Sequence, residues 1–131
     1  MTARVPVRRE AARIARYVGV GACAAAVHFL CSLAWFYGAG FSAGQANALG
    51  FLAGFWVSYL GQSHITFRYD GRPAGAVLRW FLVAVIGLVA SSLVAEWLNS
   101  RGVAAAVAVG IMVLTIPVFS YLAGRFWVFK P

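Results

Sequence analysis

The sequence predicts an all-α integral membrane protein with four transmembrane helices. Three observations predict this fold class. Hydrophobic residues make up 63% of the chain and charged residues only 11%, which is far from the balance of soluble domains. The apolar residues fall into four continuous runs, each of about 20 residues, the length that spans a bilayer as a helix. Positive charges are concentrated beside alternate ends of these runs.

Each run is predicted to be a helix, because the strands of a membrane barrel are about ten residues long and alternate apolar with polar residues. Short connections rich in Gly, Asn and Ser follow the first and third runs, so each pair is expected to form a tight antiparallel hairpin. The second run is the most polar and is expected to face other helices. The four predicted helices are 17–37, 46–65, 80–98 and 103–122.

The charge distribution predicts the topology. Of the eleven Lys and Arg residues, only Arg101 lies on the far side of the predicted membrane. The positive-inside rule therefore places both termini and the middle loop in the cytoplasm. Anionic lipid, rather than nucleic acid, is the partner expected for the net charge of +8, because the charges flank the apolar runs. The predicted parts are a cytoplasmic basic arm (1–16), a first transmembrane hairpin (17–65), a cytoplasmic loop (66–79) and a second transmembrane hairpin with a basic-aromatic end (80–131).

The two halves of the chain resemble each other. Residues 58–68 (SYLGQSHITFR) align without gaps on residues 120–130 (SYLAGRFWVFK), an offset of 62. Ser, Tyr, Leu and Phe match identically, and the last position is basic in both. Because each copy crosses the membrane twice, the two hairpins are expected to be parallel-related, by an axis along the membrane normal.

Polar and basic side chains are expected to gather at the cytoplasmic ends of the helices. Arg pairs with phosphate through two hydrogen bonds, and amides and hydroxyls suit the hydroxyls of a sugar. The alternative is ordinary anchoring at the membrane interface. The arm has a related spacing, with basic residues three and four positions apart as in a short interfacial helix. The candidate substrate-binding residues are Arg16, Ser58, Gln62, Arg79, Ser120 and Arg125.

The predicted membrane interior contains few polar residues, and the ones we single out are His28, Ser91 and Thr115. His28, near the centre of the first helix, is either a structural histidine or a group that couples protons or contacts substrate. No metal site is expected, and no nucleophile, base and acid or phosphate-binding Gly-rich loop stand in an enzyme-like pattern. The sequence therefore predicts a protein that is not an enzyme and needs no cofactor.

Small residues recur every four positions along the second helix and include a GxxxG pair. Two helices can approach closely at such a face. The close contact is either inside the bundle or between two copies of the chain, as in a homo-oligomer. The stripe consists of Ala46, Gly50, Gly54 and Ser58.

Three motifs carry a family resemblance: RYVGVG at 16–21, ANALG at 46–50 and SYLAGRFWVF at 120–129. With them, residues 14–130 resemble the GtrA-like family of small four-helix membrane proteins of cell-surface polysaccharide synthesis. Ser58 and Ser120 stand where the family tends to have a first asparagine, and Gln62 and Gly124 stand where it has a second. Arg125 keeps the family pattern.

The resemblance implies a function in glycan synthesis. The chain would move, or flip, a polyprenyl-phosphate-linked monosaccharide across the cytoplasmic membrane of a bacterium or archaeon. Arg79 and Arg125 would lie near its phosphate, with the neutral polar groups near its hydroxyls. The alternative is a non-transporting accessory subunit that anchors or orients a membrane-associated glycosyltransferase. A small multidrug exporter is disfavoured, because the first helix lacks an acidic residue.

Overall fold

The computed structural model describes the backbone of residues 4–130, and their side chains except at 4–6, 44, 91, 105, 106, 108–110, 112 and 113. This part of the chain is all helical, as predicted. Its α-helices are α1 (Arg4–Leu33), α2 (Ala43–Gly61), α3 (Pro73–Ser100) and α4 (Ala105–Ala123). Three of them continue into wider π-helical turns, at Ala34–Gly38 after α1, Gln62–Thr66 after α2 and Gly124–Val128 after α4.

Two of the described helices are long and apolar enough to cross a membrane. They are Val7–Gly38, with a mean hydropathy of 1.7, and Pro73–Ser100, with 2.2. Their large apolar side chains face outward: Phe29 is 64% exposed and Leu93 is 63% exposed. In water, each square ångström of such surface would cost about 25 cal/mol. A hydrocarbon environment accounts for these outward apolar faces.

The helices extend beyond the predicted apolar runs. Helix α1 begins at Arg4 and not at residue 17, so the described part of the basic arm is a continuation of the first helix. Helix α3 begins at Pro73 and not at residue 80, and takes up half of the predicted middle loop. Hydropathy marks only the apolar part of a helix, whereas backbone hydrogen bonds also form in water. Pro73 suits the start of α3, because its missing N–H would have no partner in the first turn.

The chain divides into two compact units, and the boundary between them in the sequence lies between Tyr69 and Asp70. In the first unit, α1 packs against α2. His28 lies beside Gly50, near the start of α2, and Val20 lies beside Gly61, at its end, so the two helices run in opposite directions. A reciprocal cap fixes the start of α2. The Ser42 hydroxyl accepts a hydrogen bond from the Gln45 backbone, and the Gln45 side chain accepts one from the Ser42 backbone.

The glycines of α2 permit the close approach of α1. A Cβ atom at Gly54 would lie 2.9 Å from the Cβ of His28 and 3.0 Å from the carbonyl oxygen of Ala24. A Cβ at Gly50 would lie 2.6 Å from the carbonyl oxygen of His28. This part of the small-residue stripe therefore packs inside the first unit, which answers the question that the sequence left open for these two glycines.

In the second unit, α3 packs against α4. Gly87 lies beside Ile116, and the ring of Trp80 packs on that of Phe129 with 5.3 Å between centroids. Helix α4 and its π-helical turn begin and end 62 residues after α2 and its π-helical turn. This is the offset of the sequence alignment, so the two aligned segments have the same local structure.

Candidate functional site

The π-helical turn after α2 brings Gln62 against α1. The turn is closed by a hydrogen bond from the backbone N–H of Phe67 to the carbonyl of Gln62, at 2.8 Å. The Gln62 side chain is 1% exposed, and its Nε2 donates to the carbonyl oxygen of Tyr17 at 3.2 Å. Its Oε1 is buried and has no hydrogen-bond partner within the described chain. One half of the amide therefore ties the helices together, and the other half is an available acceptor.

Beside this contact lies a cleft of about 410 Å³, which we call the basic cleft. One wall is the amino-terminal part of α1, and the other is the segment that follows α2. Its lining carries four guanidinium groups and no carboxylate, although Glu10 pairs with one of the four, Arg13, at 3.1 Å. The lining residues are Arg9, Ala12, Arg13, Arg16, Thr66, Phe67 and Arg68.

Two polar atoms of the basic cleft are buried without a partner. Within the described chain, neither Nε of Arg16 nor Oγ1 of Thr66 has a hydrogen-bond partner. Thr66 is only 1% exposed, so water reaches its hydroxyl poorly. A buried donor without a partner costs about 1–3 kcal/mol, and more when it is charged. The basic cleft therefore combines positive charge with unpartnered hydrogen-bond donors, a chemistry that suits an anionic group.

Arg68 lies in the left-handed region of backbone conformation, with φ of 49°. Residues other than glycine adopt this conformation at a cost of roughly 1–2 kcal/mol. It occurs just after the end of α2 and its π-helical turn, where glycine is the usual residue. Strain of this kind persists mainly at ligand clamps and other functional positions. Here it holds a guanidinium group at the wall of the basic cleft.

The second unit uses its equivalent arginine differently. Arg79 precedes Trp80 as Arg16 precedes Tyr17, and its Nη2 donates to the carbonyl oxygen of Val128 at 2.9 Å. The side chain passes over Gly75, where a Cβ would lie 3.1 Å from Nη1. The Nε of Arg79 is buried without a partner in the described chain. The guanidinium therefore joins α3 to the segment after α4.

Three other predicted substrate-binding residues lie on α2, on α4 and in the π-helical turn after α4. The Ser120 hydroxyl donates to the carbonyl of Pro117 at 3.3 Å, within its own helix. The guanidinium of Arg125 lies over the ring of Phe126, 4.9 Å from its centroid. Ser58 is half-buried on α2, four residues before Gln62 and so on the same helix face. Arg16 and Gln62 lie at the same end of the first unit, and their binding of substrate stays a prediction.

The polar residues of the predicted membrane interior differ in their hydrogen-bond partners. His28 Nε2 donates to Oδ1 of Asn47 at 2.9 Å, which links α1 to α2. The Thr115 hydroxyl donates to the carbonyl of Ile111 at 2.7 Å, in its own helix. The side chain of Ser91 lies outside the described residues. His28 is therefore the interior residue that makes a described contact between helices.

Sequence reasoning missed several residues of the basic cleft. The spacing of Arg9, Arg13 and Arg16 was visible, but it was interpreted as an interfacial helix and not as one wall of a cleft. Arg68 was counted only as a positive charge of the middle loop. Thr66 aligns with Val128 in the second half, and that difference was the one signal that could have marked its hydroxyl.

The comparisons with known proteins give one match. The family model described as GtrA/DPMS, transmembrane domain, matches residues 16–129, which is most of the chain. No curated protein and no solved structure matches the chain.

Proposed function

Because the chain belongs to the GtrA/DPMS transmembrane-domain family, it is a membrane protein of glycan synthesis, and we propose that it flips a polyprenyl-phosphate-linked monosaccharide across the cytoplasmic membrane. The observation that carries the proposal is the segregation of chemical groups within each unit. Guanidinium, amide and hydroxyl groups lie together at one end of the first helix pair, guanidinium groups lie at the corresponding end of the second, and the outward faces of both are apolar. A lipid-linked sugar phosphate has the same three parts: an anionic phosphate, hydroxyl groups and a hydrocarbon chain.

In this proposal the basic end of each helix pair faces the cytoplasm. The positive-inside rule favours that orientation, since Arg101 alone lies at the opposite end. The head group would be attracted from the cytoplasmic leaflet by the guanidinium groups, which hold phosphate with paired hydrogen bonds. The Gln62 amide, whose Oε1 has no partner in the described chain, and the hydroxyls of Ser58 and Ser120 suit the sugar. The two hairpins are proposed to be parallel-related copies, and the 62-residue offset between α2 and α4 supports a duplication.

During the crossing, the head group would move along polar groups while the hydrocarbon chain stays in lipid. The His28 and Asn47 pair is a polar contact that it could meet in the first unit. A chain of this size offers few such groups, so the proposal includes a second copy of the chain, or a membrane glycosyltransferase, as a partner that completes the path.

One observation favours the accessory subunit as a second candidate. The hydroxyls of Ser92 and Thr115 donate to carbonyls of their own helices, so they need no ligand to satisfy them. An accessory subunit needs only its basic ends, to hold a glycosyltransferase at the cytoplasmic face. It does not need a polar path through the helices.

The test is transbilayer movement of a short-chain polyprenyl-phosphoryl hexose in proteoliposomes. A membrane-impermeant oxidant destroys the sugar in the outer leaflet, and protein-free vesicles give the protected pool. We expect the protein to remove this protection. Vesicles with folded protein that protect the sugar as protein-free vesicles do would refute the flippase and favour the accessory subunit. The matched variant Arg101→Lys, altered at the far end, should behave as wild type.

A further inference from the structure

We infer that the basic cleft of the first unit is the phosphate site of this protein, and that the described residues of the second unit form no open equivalent. Arg16, Arg68 and Thr66 would bind the phosphate oxygens, supported by the positive charge of Arg9 and Arg13. The inference takes its ligand, the phosphate of a lipid-linked sugar, from the proposed function. It differs from the sequence-based expectation, which placed Arg79 and Arg125 nearest the phosphate.

The walls of the basic cleft select an anion. Arg9, Arg13 and Arg16 follow one another at four and three residues, so they share one face of α1. Arg68 adds a guanidinium from the opposite wall. The volume of about 410 Å³ lies in the range of small-ligand sites and leaves room for a phosphate and part of a sugar. A cation would find no carboxylate ligand on these walls.

The unpartnered atoms of the basic cleft match what a phosphate offers. The Nε of Arg16 is a buried donor, and the hydroxyl of Thr66 can donate as well. Phosphate oxygens are strong acceptors, and their charge-assisted hydrogen bonds to guanidinium are short and directional. A neutral sugar would leave the positive charges uncompensated. The cleft therefore suits the phosphate of a lipid-linked sugar better than the sugar attached to that phosphate.

In the second unit, two residues equivalent to residues of the basic cleft contact each other. Arg79 stands for Arg16, but it is bonded to the carbonyl of Val128. Val128 is fully buried and stands for Thr66, so the hydroxyl is replaced by a methyl group. Ala76, also fully buried, takes the place of an arginine of α1. The second unit thus lacks the hydroxyl of Thr66 and the guanidinium of Arg13, and its equivalent of Arg16 is held by a backbone carbonyl, which is why we assign one phosphate site to each chain and not two.

The test is isothermal titration calorimetry of the full chain in detergent micelles with a short-chain polyprenyl phosphate. We expect one phosphate bound per chain. Thr66→Val removes an unpaired hydroxyl and copies the second unit, so it should fold normally. Arg16→Lys keeps the charge and loses the planar pair of donors. Each variant should weaken binding about tenfold or more, as the loss of a charge-assisted hydrogen bond does. Arg101→Lys, at the other end, should bind as wild type.

Two phosphates per chain, or unchanged affinity in both cleft variants, would overturn the inference. A second titration with inorganic phosphate separates the sources of the ligand. Strong binding of the lipid alone assigns the site to a lipid head group, whereas equal binding of both assigns it to free phosphate as well, and either result retains the site.

Translocation measured on the same variants separates this inference from the proposed function. If wild-type protein binds phosphate through Arg16 and Thr66 but does not translocate the lipid, the proposed function is refuted and the phosphate site is retained. If both variants bind phosphate and translocate as wild type does, the site is refuted and the function is retained.

Discussion

The guanidinium of Arg79 donates to the backbone carbonyl of Val128, 2.9 Å away and 49 residues later in the chain. This hydrogen bond joins the first turns of α3 to the π-helical turn after α4. It makes Arg79 a structural residue of the second unit, although its position beside the aromatic Trp80 is the same as that of Arg16 beside Tyr17. Two equivalent arginines thus have different surroundings.

The first prediction concerns the stability of the second unit. Arg79→Met removes the donor and leaves the carbonyl of Val128 without its partner, so we expect the free energy of unfolding to fall by about 1.5–3 kcal/mol. Arg101→Met is the matched control, because Arg101 is exposed and only packs over the ring of Trp97. Thermal unfolding in detergent measures both. Equal stability of the two variants would show that the bond to Val128 contributes nothing measurable.

The second prediction concerns the glycine contact of the first unit. Gly54→Ala would place a Cβ atom 2.9 Å from that of His28, so α1 and α2 must move apart. Overpacking of this kind costs typically about 1–3 kcal/mol. Gly21→Ala is the control, since a Cβ there meets nothing within 4 Å, and it should stabilise the helix by up to about 1 kcal/mol. Chemical unfolding in detergent should show that Gly54→Ala lowers the free energy of unfolding and Gly21→Ala raises it. A change of the same sign in both variants would count against the close packing at Gly54.

The third prediction separates strain from ligand binding at Arg68. Arg68→Gly relieves the left-handed backbone, so the protein should become more stable by roughly 1 kcal/mol. The same change removes a guanidinium from the basic cleft, so affinity for polyprenyl phosphate should fall. Arg68→Lys keeps the charge and the strain and should leave stability unchanged. Thermal unfolding measures the stability of both variants, and calorimetric titration measures their affinity for polyprenyl phosphate. If Arg68→Gly were less stable than wild type, the backbone at Arg68 would not be strained.

The sequence predicted an all-helical chain with four helices, and it predicted the family. Among the described residues two helices are long and apolar enough to cross a membrane, and the arrangement as parallel-related hairpins stays a prediction. A long apolar run indicates that a helix is present and roughly where it lies. The duplicated motif, which ends at Arg68 and at Lys130, contains the two π-helical turns that follow α2 and α4 at the same offset. The helix ends were less predictable. Arg4 and Pro73 begin helices well before the apolar runs, because hydropathy reports the surroundings of a helix and not its hydrogen bonds.

That the chosen residues bind substrate stays a prediction, but the structure shows where two of them lie. Arg16 and Gln62 were chosen for their chemistry, and both lie at the same end of the first unit. The different surroundings of Arg79 could not be predicted, because they depend on a carbonyl 49 residues away and on the space above Gly75. In the first unit Ala12 stands at the position of Gly75, so a methyl group is present there. A difference of one methyl group is visible in the sequence, but its effect on a guanidinium needs the structure.

The last prediction decides between a flippase and an accessory subunit. His28→Leu removes a hydrogen bond to Asn47, and such bonds between membrane helices are worth about 0.6 kcal/mol on average. The folded protein should therefore survive the change. If the head group passes His28, transbilayer movement of a polyprenyl-phosphoryl hexose should slow by about tenfold or more, as the loss of about 1.4 kcal/mol of transition-state stabilisation requires.

Thr115→Val is the matched control for His28→Leu. Its hydroxyl bonds within α4, to the carbonyl of Ile111, so its loss should change stability little. Glycan synthesis in cells gives the second measurement. A flippase requires His28→Leu to lower both vesicle translocation and glycan output, with Thr115→Val less affected. If glycan output is normal in His28→Leu but falls when Arg16 is replaced, the interior carries no substrate, and the basic end alone supports a glycosyltransferase.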